Sequence, residues 1–260
     1  LKNKLLNILP QLNNIFVRHN YLYYLFDSND YHERCILTDG QYEKETIDFL
    51  KDFLKTKNNG LFFDIGSHNG LISLPLAKEL APDSNIMVFA FEPLKYIFER
   101  LKINIYANGL DGIIRPYNLG CGEKKCKKKL YIPKTENKFI NYGVSSTDKS
   151  MTLRTYKDLE SVEIDIVSLD EWFFDKEDIK GKNIYACKID VEGNELCVLK
   201  GMKKILELKS PALIIEYNIS NFKQLNNFLD FYGYKLVGSL QRFGISKELT
   251  EKNLLYIKMD

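Results

Sequence analysis

An acid and two glycines interrupt the apolar residues of LFFDIGSHNGLIS, which spans residues 61–73. Asp64 ends the first apolar run, and Gly66 and Gly70 follow it. Glycine permits a sharp turn and a close approach of the backbone to a ligand. Glu92 ends the next apolar run, 28 residues beyond Asp64, where a carboxylate is suited to accept hydrogen bonds from both hydroxyls of a ribose. The pattern therefore indicates a nucleoside site.

The loop differs from that of a dinucleotide site. A dinucleotide loop reads GxGxxG and cradles a pyrophosphate, whereas this one reads DxGxxxG. Asp64 would place negative charge where the pyrophosphate lies, so a cationic nucleoside without phosphates, such as S-adenosylmethionine, fits better. The simpler alternative is that the glycines only make a tight strand–helix turn, with Asp64 as the helix cap. The presence of Glu92 favours the nucleoside site.

Alternating strand and helix patterns surround these residues. Strands are predicted at 61–65, 86–91, 113–118, 184–190 and 212–217, and helices at 71–80, 94–107, 192–206 and 222–232. Such alternation predicts an α/β fold, a Rossmann-like and mostly parallel sheet with helices on both faces. Two last strands, 234–238 and 253–258, predict an antiparallel edge hairpin. Ligands of such sheets bind at the carboxyl ends of the strands, which here carry Asp64, Glu92, Asn118, Asp190 and Glu216.

Two parts of the chain fall outside the alternation. Residues 1–57 are predicted to form an N-terminal helical segment or lid, with helices broken near Pro10 and a strong helix from residue 42 to 55. Residues 58–260 are predicted to form the main domain. Within it, a polar segment of about 121–165 reads as a β-ribbon or loop insertion. Residues 121–160 carry ten Lys/Arg against five Asp/Glu, so this insertion is the basic part of the chain.

Composition restricts the class of protein. The 260 residues are 45% apolar with a formal net charge of +2, which suits one sizeable domain and gives no general reason to expect nucleic acid. Five scattered cysteines without a CxxC pair predict a reduced, cytoplasmic chain without a disulfide framework or zinc site. No apolar run approaches the roughly 18 residues of a membrane span.

DIGSHNG, FEP, KIDVEGNE and IIEY, in this order and spacing, resemble the FkbM-type methyltransferases of the class I S-adenosylmethionine-dependent fold. The resemblance runs from about residue 39 to the C-terminus, and KIDVEGNE followed by VLKG is its most specific part. It implies a seven-stranded sheet in the order 3-2-1-4-5-7-6. It also implies methylation of a hydroxyl oxygen, most often on a sugar of a glycan or glycoconjugate.

The same resemblance implies which residues contact S-adenosylmethionine. The loop would shape the methionine end, Glu92 would bind the ribose, Leu119 would flank the adenine, and Tyr42 and Glu43 would cover the cofactor. The predicted cofactor residues are Glu43, Asp64, Gly66, Ser67, His68, Gly70, Glu92, Pro93, Leu119 and Asp190. Residues 141–146 resemble the acceptor-facing stretch of the family. The family usually has Ala-Asn where this chain has Ser67 and His68.

Methyl transfer to a hydroxyl requires an aligned oxygen and removal of its proton. One hypothesis is that Asp190 binds and deprotonates the acceptor. Another is that Asp190 and Glu216, with or without Glu192, hold a divalent cation that lowers the hydroxyl pKa. The residues leave both hypotheses open. A structural alternative makes Glu192 only a negative charge favoured at a helix N-terminus.

The three histidines are predicted to differ in role. His68 has the ordinary pKa of a general base, but its place in the cofactor loop favours a contact with the cofactor. His19 and His32, in the N-terminal segment, belong to no visible constellation.

Two other functions compete with a sugar O-methyltransferase. An RNA ribose 2′-O-methyltransferase usually shows a Lys-Asp-Lys-Glu set, and the predicted fifth strand, ALIIEY, has no lysine. The aromatic and basic stripe of an RNA binder is also absent from the sequence. The non-enzymatic alternative is a methyltransferase-like module of a larger protein, against which the acidic rim argues.

Overall fold

The computed structural model describes residues 13–27, 30, 32–33, 42–81, 84–134, 142–156, 158–216, 221–241, 244–246 and 253–259. In chain order the strands are β1 (Asn13–His19), β2 (Leu22–Asp27), β3 (Gly60–Ile65), β4 (Ile86–Phe91), β5 (Ile114–Tyr117), β6 (Gly120–Cys121), β7 (Cys126–Lys134), β8 (Asp158–Val167), β9 (Asn183–Ile189), β10 (Ala212–Glu216), β11 (Tyr234–Gln241), β12 (Gly244–Ser246) and β13 (Asn253–Lys258). The helices are α1 (Lys44–Lys55), α2 (Ser73–Leu80), α3 (Lys95–Ala107), α4 (Lys149–Thr155), α5 (Leu169–Phe174), α6 (Glu195–Lys200), α7 (Lys203–Leu208) and α8 (Phe222–Phe231).

The main sheet has the order β5-β4-β3-β9-β10-β13-β11-β12. Neighbours from β5 to β10 pair in parallel, and β13 pairs antiparallel with both β10 and β11. The first seven strands confirm the predicted order 3-2-1-4-5-7-6. The three-residue strand β12 adds an eighth, antiparallel member at the β11 edge.

Two apolar layers sandwich this sheet. Successive residues of a strand point to opposite faces, so Phe62 packs with α1, α2 and α3, whereas Phe63 packs with α5, α6, α7 and α8. Both rings are fully buried. Strands covered on both faces need continuous apolar runs, which explains why β3 and β4 contain so few polar residues.

The lysine-rich insertion forms a separate three-stranded sheet in the order β6-β8-β7. Its small apolar core, which includes Leu130 and Ile164, packs on Leu94 and Ile97 at the start of α3. The lysines of β7 lie on the outside, and Lys127 pairs with Glu163 across the ribbon. The insertion therefore sits above the carboxyl end of β4.

Residues 13–27 differ from the sequence prediction, which expected helix there. They form an antiparallel hairpin of β1 and β2. In β2, five of the six residues are buried and Tyr23 is exposed, so this strand lies between β1 and the main domain and is not half covered. The strand docks on α3 because Asn104 Oδ1 accepts the Leu25 N–H at 2.6 Å. Residues 1–12, and Pro10 with them, lie outside the described residues.

The helix predicted over 192–206 is interrupted, and α6 and α7 are separate. Gly201 ends α6 where the backbone of the insertion passes close by. A Cβ at Gly201 would lie 1.9 Å from the Gly122 carbonyl oxygen, so the chain bends instead of continuing the helix. Among the described residues, no helix has both the length and the hydropathy needed to cross a bilayer.

Candidate active site

A cleft opens at the carboxyl ends of β3, β4, β5 and β9, between the main sheet and the insertion. It encloses about 1130 Å³ of empty space, part of it continuous with solvent. Nine of its lining residues were predicted from the sequence to contact the cofactor or to act in catalysis: Asp64, Gly66, Ser67, His68, Glu92, Pro93, Leu119, Asp190 and Glu192. Glu43, Gly70 and Glu216 do not line it and lie close behind its wall. The predicted rim is thus largely one surface.

The glycine loop is held close to β9 by its backbone. Gly66 has φ of +86°, and a Cβ there would lie 1.8 Å from the Asp190 carbonyl oxygen. The N–H groups of Gly66 and Ser67 both donate to the Phe91 carbonyl at 3.0 Å. Gly70, with φ of +97°, faces Leu74, which a Cβ would meet at 2.8 Å. Both glycines are therefore required by the turn itself.

Asp64 lies beneath the loop and is 1% exposed. Its Oδ2 accepts the Ser73 hydroxyl at 2.5 Å, which ties β3 to the first residue of α2. In the parallel pairing of β3 with β9, Asp64 lies opposite Lys188. Burial raises the pKa of Asp64 to about 6, although the Lys188 ammonium opposes this shift.

Glu92 is fixed at the end of β4 by two backbone donors. Oε1 accepts the Leu94 N–H at 2.8 Å and Oε2 accepts the His68 N–H at 3.0 Å. The Asn118 amide also donates to the carbonyls of Glu92 and Pro93 at 2.9 and 3.0 Å. Burial raises the pKa of the Glu92 carboxyl to about 7. Each Glu92 oxygen keeps a further lone pair on the wall of the cleft.

His68 stands between the cofactor loop and the N-terminal segment. Its φ is +51°, and its Nε2 lies 3.4 Å from Asp30 Oδ2. Burial would lower the pKa of the imidazole, but the nearby Asp30, Glu92 and Glu33 carboxylates outweigh it and raise the pKa to about 9. An imidazole that holds its proton this strongly is a poor general base, which agrees with a binding role.

Lys188 is the cation at the centre of the acidic end of the cleft. Its Nζ lies 2.6 Å from Asp190 Oδ2 and 3.5 Å from Glu43 Oε2, and its side chain is 2% exposed. Burial would lower the pKa of Lys188, but the two carboxylates hold it above its usual range. Glu43 also accepts the Asn253 amide at 2.6 Å. Glu43 is therefore engaged with Lys188, while Tyr42 beside it lines the cleft.

Three carboxyl groups meet beyond Lys188. Asp190, Glu192 and Glu216 each have an oxygen within 4.8 Å of the other two. The charge of Asp190, followed by burial, raises the pKa of Glu216 to about 11, and burial with the same charge raises that of Glu192 to about 8. Burial would raise the pKa of Asp190 too, but Lys188 holds it below its usual range. Asp190 therefore favours the ionised form, and Glu216 beside it favours the protonated form.

The cluster can bind a cation or a proton. Three carboxylate oxygens suit a hard divalent ion, and one ionised carboxylate suits proton transfer. Glu192 occupies the turn before α6 with φ of +51°, so it is not a residue of the helix. Glu195 is the one with a structural role, because it accepts the Gly193 N–H and the Asn221 amide, each at 2.8 Å.

Residues 142–146, part of the stretch predicted to face the acceptor, and Thr147 after them lie against the loop that follows β9. Ser146 Oγ donates to the Glu192 carbonyl at 2.9 Å, and Thr147 Oγ1 donates to Asn194 Oδ1 at 2.8 Å. Tyr142 and Ser145 line the cleft, whereas residue 141 lies outside the described part of the chain. The insertion is therefore tied to the loop that follows β9.

Sequence reasoning missed Asp30 and His32. The structure brings His32 to the cleft wall and buries Asp30 behind it, and one ligand atom each from Asp30, His32 and His68 lies within 4.8 Å of the others. The expectation that His32 belongs to no constellation is wrong. No local signal reveals it, because His32 and His68 are 36 residues apart. His19 lies in β1, and the four described cysteines are free.

Comparisons with known proteins match the chain to methyltransferases. The model of the methyltransferase FkbM domain matches residues 64–236. "Methyltransferase 1" of Beauveria bassiana (strain ARSEF 2860) is 23% identical over 164 residues, which are 60% of this chain and 64% of that relative. The chain thus spans less than two thirds of the length of this curated relative.

Solved methyltransferase structures also resemble the chain. That of methyltransferase FkbM from Methylobacillus flagellatus KT has 19% identity and a TM-score of 0.48, covering 76% of this chain and 43% of that one. That of precorrin-6y C5,15-methyltransferase from Geobacter metallireducens GS-15 has 11% identity and a TM-score of 0.46, covering 84% and 92%.

Proposed function

The chain belongs to the FkbM methyltransferase family, and from this premise we propose that it is an S-adenosylmethionine-dependent O-methyltransferase whose acceptor is a sugar hydroxyl of a glycan or glycoconjugate. The observation that carries the proposal is the single cleft that joins the Glu92 carboxylate and the glycine loop to the ionised Asp190. Methyl transfer requires contact between the methyl donor and the acceptor hydroxyl, and this cleft has residues suited to bind each of them.

The cofactor end of the cleft fits S-adenosylmethionine. Glu92 holds a fixed carboxylate for the two ribose hydroxyls, with Pro93 and Leu119 beside it for the adenine. Ser67 Oγ is buried and has no hydrogen-bond partner among the described residues, so a ligand can supply one. The acidic neighbours Asp64 and Asp190 favour a cationic ligand. When bound, S-adenosylmethionine supplies a methyl group on a positively charged sulfur.

Asp190 is the residue we assign to the acceptor proton. Lys188 lies 2.6 Å from its carboxylate and keeps it ionised, so its position and charge are both defined before the acceptor enters. Asp190 would accept the hydroxyl proton as the oxygen attacks the methyl carbon. In the alternative, Asp190 and Glu216, with or without Glu192, would hold a divalent cation that lowers the hydroxyl pKa.

The acceptor wall supports a polyhydroxylated substrate. Three residues with hydroxyl groups, Tyr142, Ser145 and Thr147, line the cleft, and so does Lys128 of the insertion. Hydroxyl side chains can both donate to and accept from sugar hydroxyls. An amide or thiol acceptor would not require such a lining.

Calorimetry tests the cofactor site. Wild-type protein titrated with S-adenosylmethionine should release or absorb heat, and Glu92→Ala should weaken binding by about 100-fold, because two charge-assisted hydrogen bonds are lost. Glu99→Ala is the matched control, since Glu99 is a half-exposed glutamate paired with Lys102. Wild-type protein without a binding signal would overturn the methyltransferase assignment.

An acceptor screen tests the reaction. Pooled glycans, sugar nucleotides and RNA are offered with a labelled methyl donor, with and without EDTA. Label should enter a sugar, and Asp190→Asn should lower kcat by about 10²–10⁴-fold. Transfer to RNA but never to free glycans would refute the acceptor class. Loss of transfer with EDTA would select the cation mechanism over direct proton transfer.

A further inference from the structure

We propose that Asp30, His32 and His68 form a binding site for a divalent transition-metal cation at the wall of the cleft. One ligand atom from each residue lies within 4.8 Å of the other two. His32 and His68 both line the cleft, so the site is reached from solvent. It is a different group of residues from the three carboxyls around Asp190.

The distances are close to those of a metal site. His68 Nε2 lies 3.4 Å from Asp30 Oδ2, and His32 Nδ1 lies 4.0 Å from Asp30 Oδ1. In a tetrahedral site with bonds of about 2.0–2.2 Å, neighbouring ligand atoms lie about 3.3–3.6 Å apart. The centroids of the two imidazole rings are 5.5 Å apart. Small rotations of side chains that are already adjacent would complete the geometry.

Two of the ligand atoms lack a hydrogen bond within the described part of the chain. Asp30 Oδ2 and His68 Nε2 are buried and face each other at 3.4 Å as an ion pair, and no further polar atom of the described residues satisfies them. The Asp30 side chain is only 1% exposed. A divalent cation bound between these two atoms would displace the imidazole proton and take its place beside the Asp30 carboxylate.

Neighbouring groups orient the ligands as in known metal sites. Asp30 Oδ1 accepts the Glu33 N–H at 3.0 Å, which turns Oδ2 toward His68. His68 Nδ1 lies 3.3 Å from Asn69 Oδ1, a contact that suits Nδ1–H as donor and leaves Nε2 as ligand. An imidazole ligand whose other nitrogen donates to an oxygen is the usual arrangement. Glu33 is itself held by Arg100 at 2.9 Å.

The ligand set selects the class of metal. Two imidazoles and one carboxylate favour Zn²⁺, Fe²⁺, Co²⁺ or Mn²⁺, whereas Mg²⁺ and Ca²⁺ prefer oxygen ligands. Three protein ligands leave at least one coordination position for water or another oxygen. That position opens to the cleft, where a hydroxyl of the acceptor could take it. This last role rests on the proposed function, but metal binding does not.

Cobalt binding tests the site without any cofactor or acceptor. Metal-free full-length chain is titrated with Co²⁺ and followed by its visible absorption. We expect one equivalent to bind, and His32→Ala to weaken binding by at least about 100-fold. His19→Ala is the matched control, because His19 is the other described histidine and lies in β1. Asp190→Asn separates the two clusters and should leave Co²⁺ absorption unchanged.

Three results would overturn the proposal: wild-type protein that binds no Co²⁺, His32→Ala protein that binds like wild type, or binding lost only in Asp190→Asn. Circular dichroism establishes that each variant is folded. X-ray absorption of the Zn²⁺-loaded wild type needs no variant at all. A shell with two imidazoles supports the site, and a shell of oxygens alone refutes it. Failure here would leave calorimetry with S-adenosylmethionine unaffected, so the two proposals can fail separately.

Discussion

The two ends of the cleft are built by different means. At the cofactor end, backbone groups hold the functional residues: Gly66 passes within contact of β9, and Glu92 accepts two backbone N–H groups. At the acidic end, Lys188 balances Asp190 and Glu43 by charge. The first end depends on shape and the second on one buried ammonium. The two should therefore respond differently to substitution.

The largest effect should follow removal of the ammonium. Lys188→Met leaves the partly buried carboxylates of Asp190 and Glu43 without their cation, so we expect the free energy of unfolding to fall by about 3 kcal/mol. Denaturant unfolding measures it. Lys235→Met is the matched control, because Lys235 is more than half exposed beside Asp230 and should cost less than about 1 kcal/mol.

A second substitution identifies the cause of that loss. Adding Asp190→Asn to Lys188→Met should recover part of the stability, because one uncompensated charge disappears. If Lys188→Met is no less stable than Lys235→Met, the acidic end is not held by charge and the comparison fails.

The shape of the cofactor end is tested next. Gly66→Ala introduces a Cβ 1.8 Å from the Asp190 carbonyl oxygen at φ of +86°, and we expect a loss of at least about 3 kcal/mol. Gly109→Ala separates backbone strain from the clash, since Gly109 has φ of +63° with nothing within 4 Å. That variant should lose about 1 kcal/mol. If Gly66→Ala and Gly109→Ala lose the same free energy of unfolding, the close contact with β9 is not what requires glycine at Gly66.

Asn104 connects the hairpin to the cofactor loop and should have a smaller effect. Its side chain accepts the Leu25 N–H at 2.6 Å and donates to the Asn69 carbonyl at 2.9 Å. Asn104→Ala leaves two buried backbone groups unpaired, so we expect a loss of about 2–3 kcal/mol by thermal unfolding. Asn108→Ala, at an exposed contact with Tyr23, should cost about 1 kcal/mol. If Asn104→Ala and Asn108→Ala lose the same free energy of unfolding, Asn104 does not link the hairpin to the glycine loop.

Glu216 should give the smallest change. Because the charge of Asp190 and burial raise the pKa of Glu216 to about 11, the neutral amide of Glu216→Gln should replace its carboxyl without the loss of a charge. We expect the free energy of unfolding of Glu216→Gln to differ from that of the wild type by less than about 1 kcal/mol. Glu216→Ala, which removes the polar group altogether, is measured in parallel. A loss above about 3 kcal/mol in Glu216→Gln would mean that Glu216 is ionised, and the charge balance around Lys188 would need revision.

The elements of the main sheet were largely predictable because burial on both faces requires apolar runs that are visible in one dimension. Burial on both faces also explains why Asp64, Glu92 and Asp190 lie at one edge of the sheet. Polar residues are best tolerated near the ends of strands that are covered on both faces. The N-terminal hairpin was not predictable in this way. Strand β2 is buried at five of its six positions, but the local composition of Leu, Asn and Tyr suits helix and strand alike.

The sequence by itself determined the order of strands and helices and the acidic and glycine-rich composition of the rim, because local burial and turn chemistry act between near neighbours. Tertiary structure decided the contacts between residues that lie far apart in the chain. It brought Asp30 and His32 beside His68, made Glu216 the protonated partner of Asp190, and required Gly66 because β9 passes so near. Protonation and ligand geometry depend on groups that come into contact only in the folded chain, and no local sequence pattern reveals those contacts.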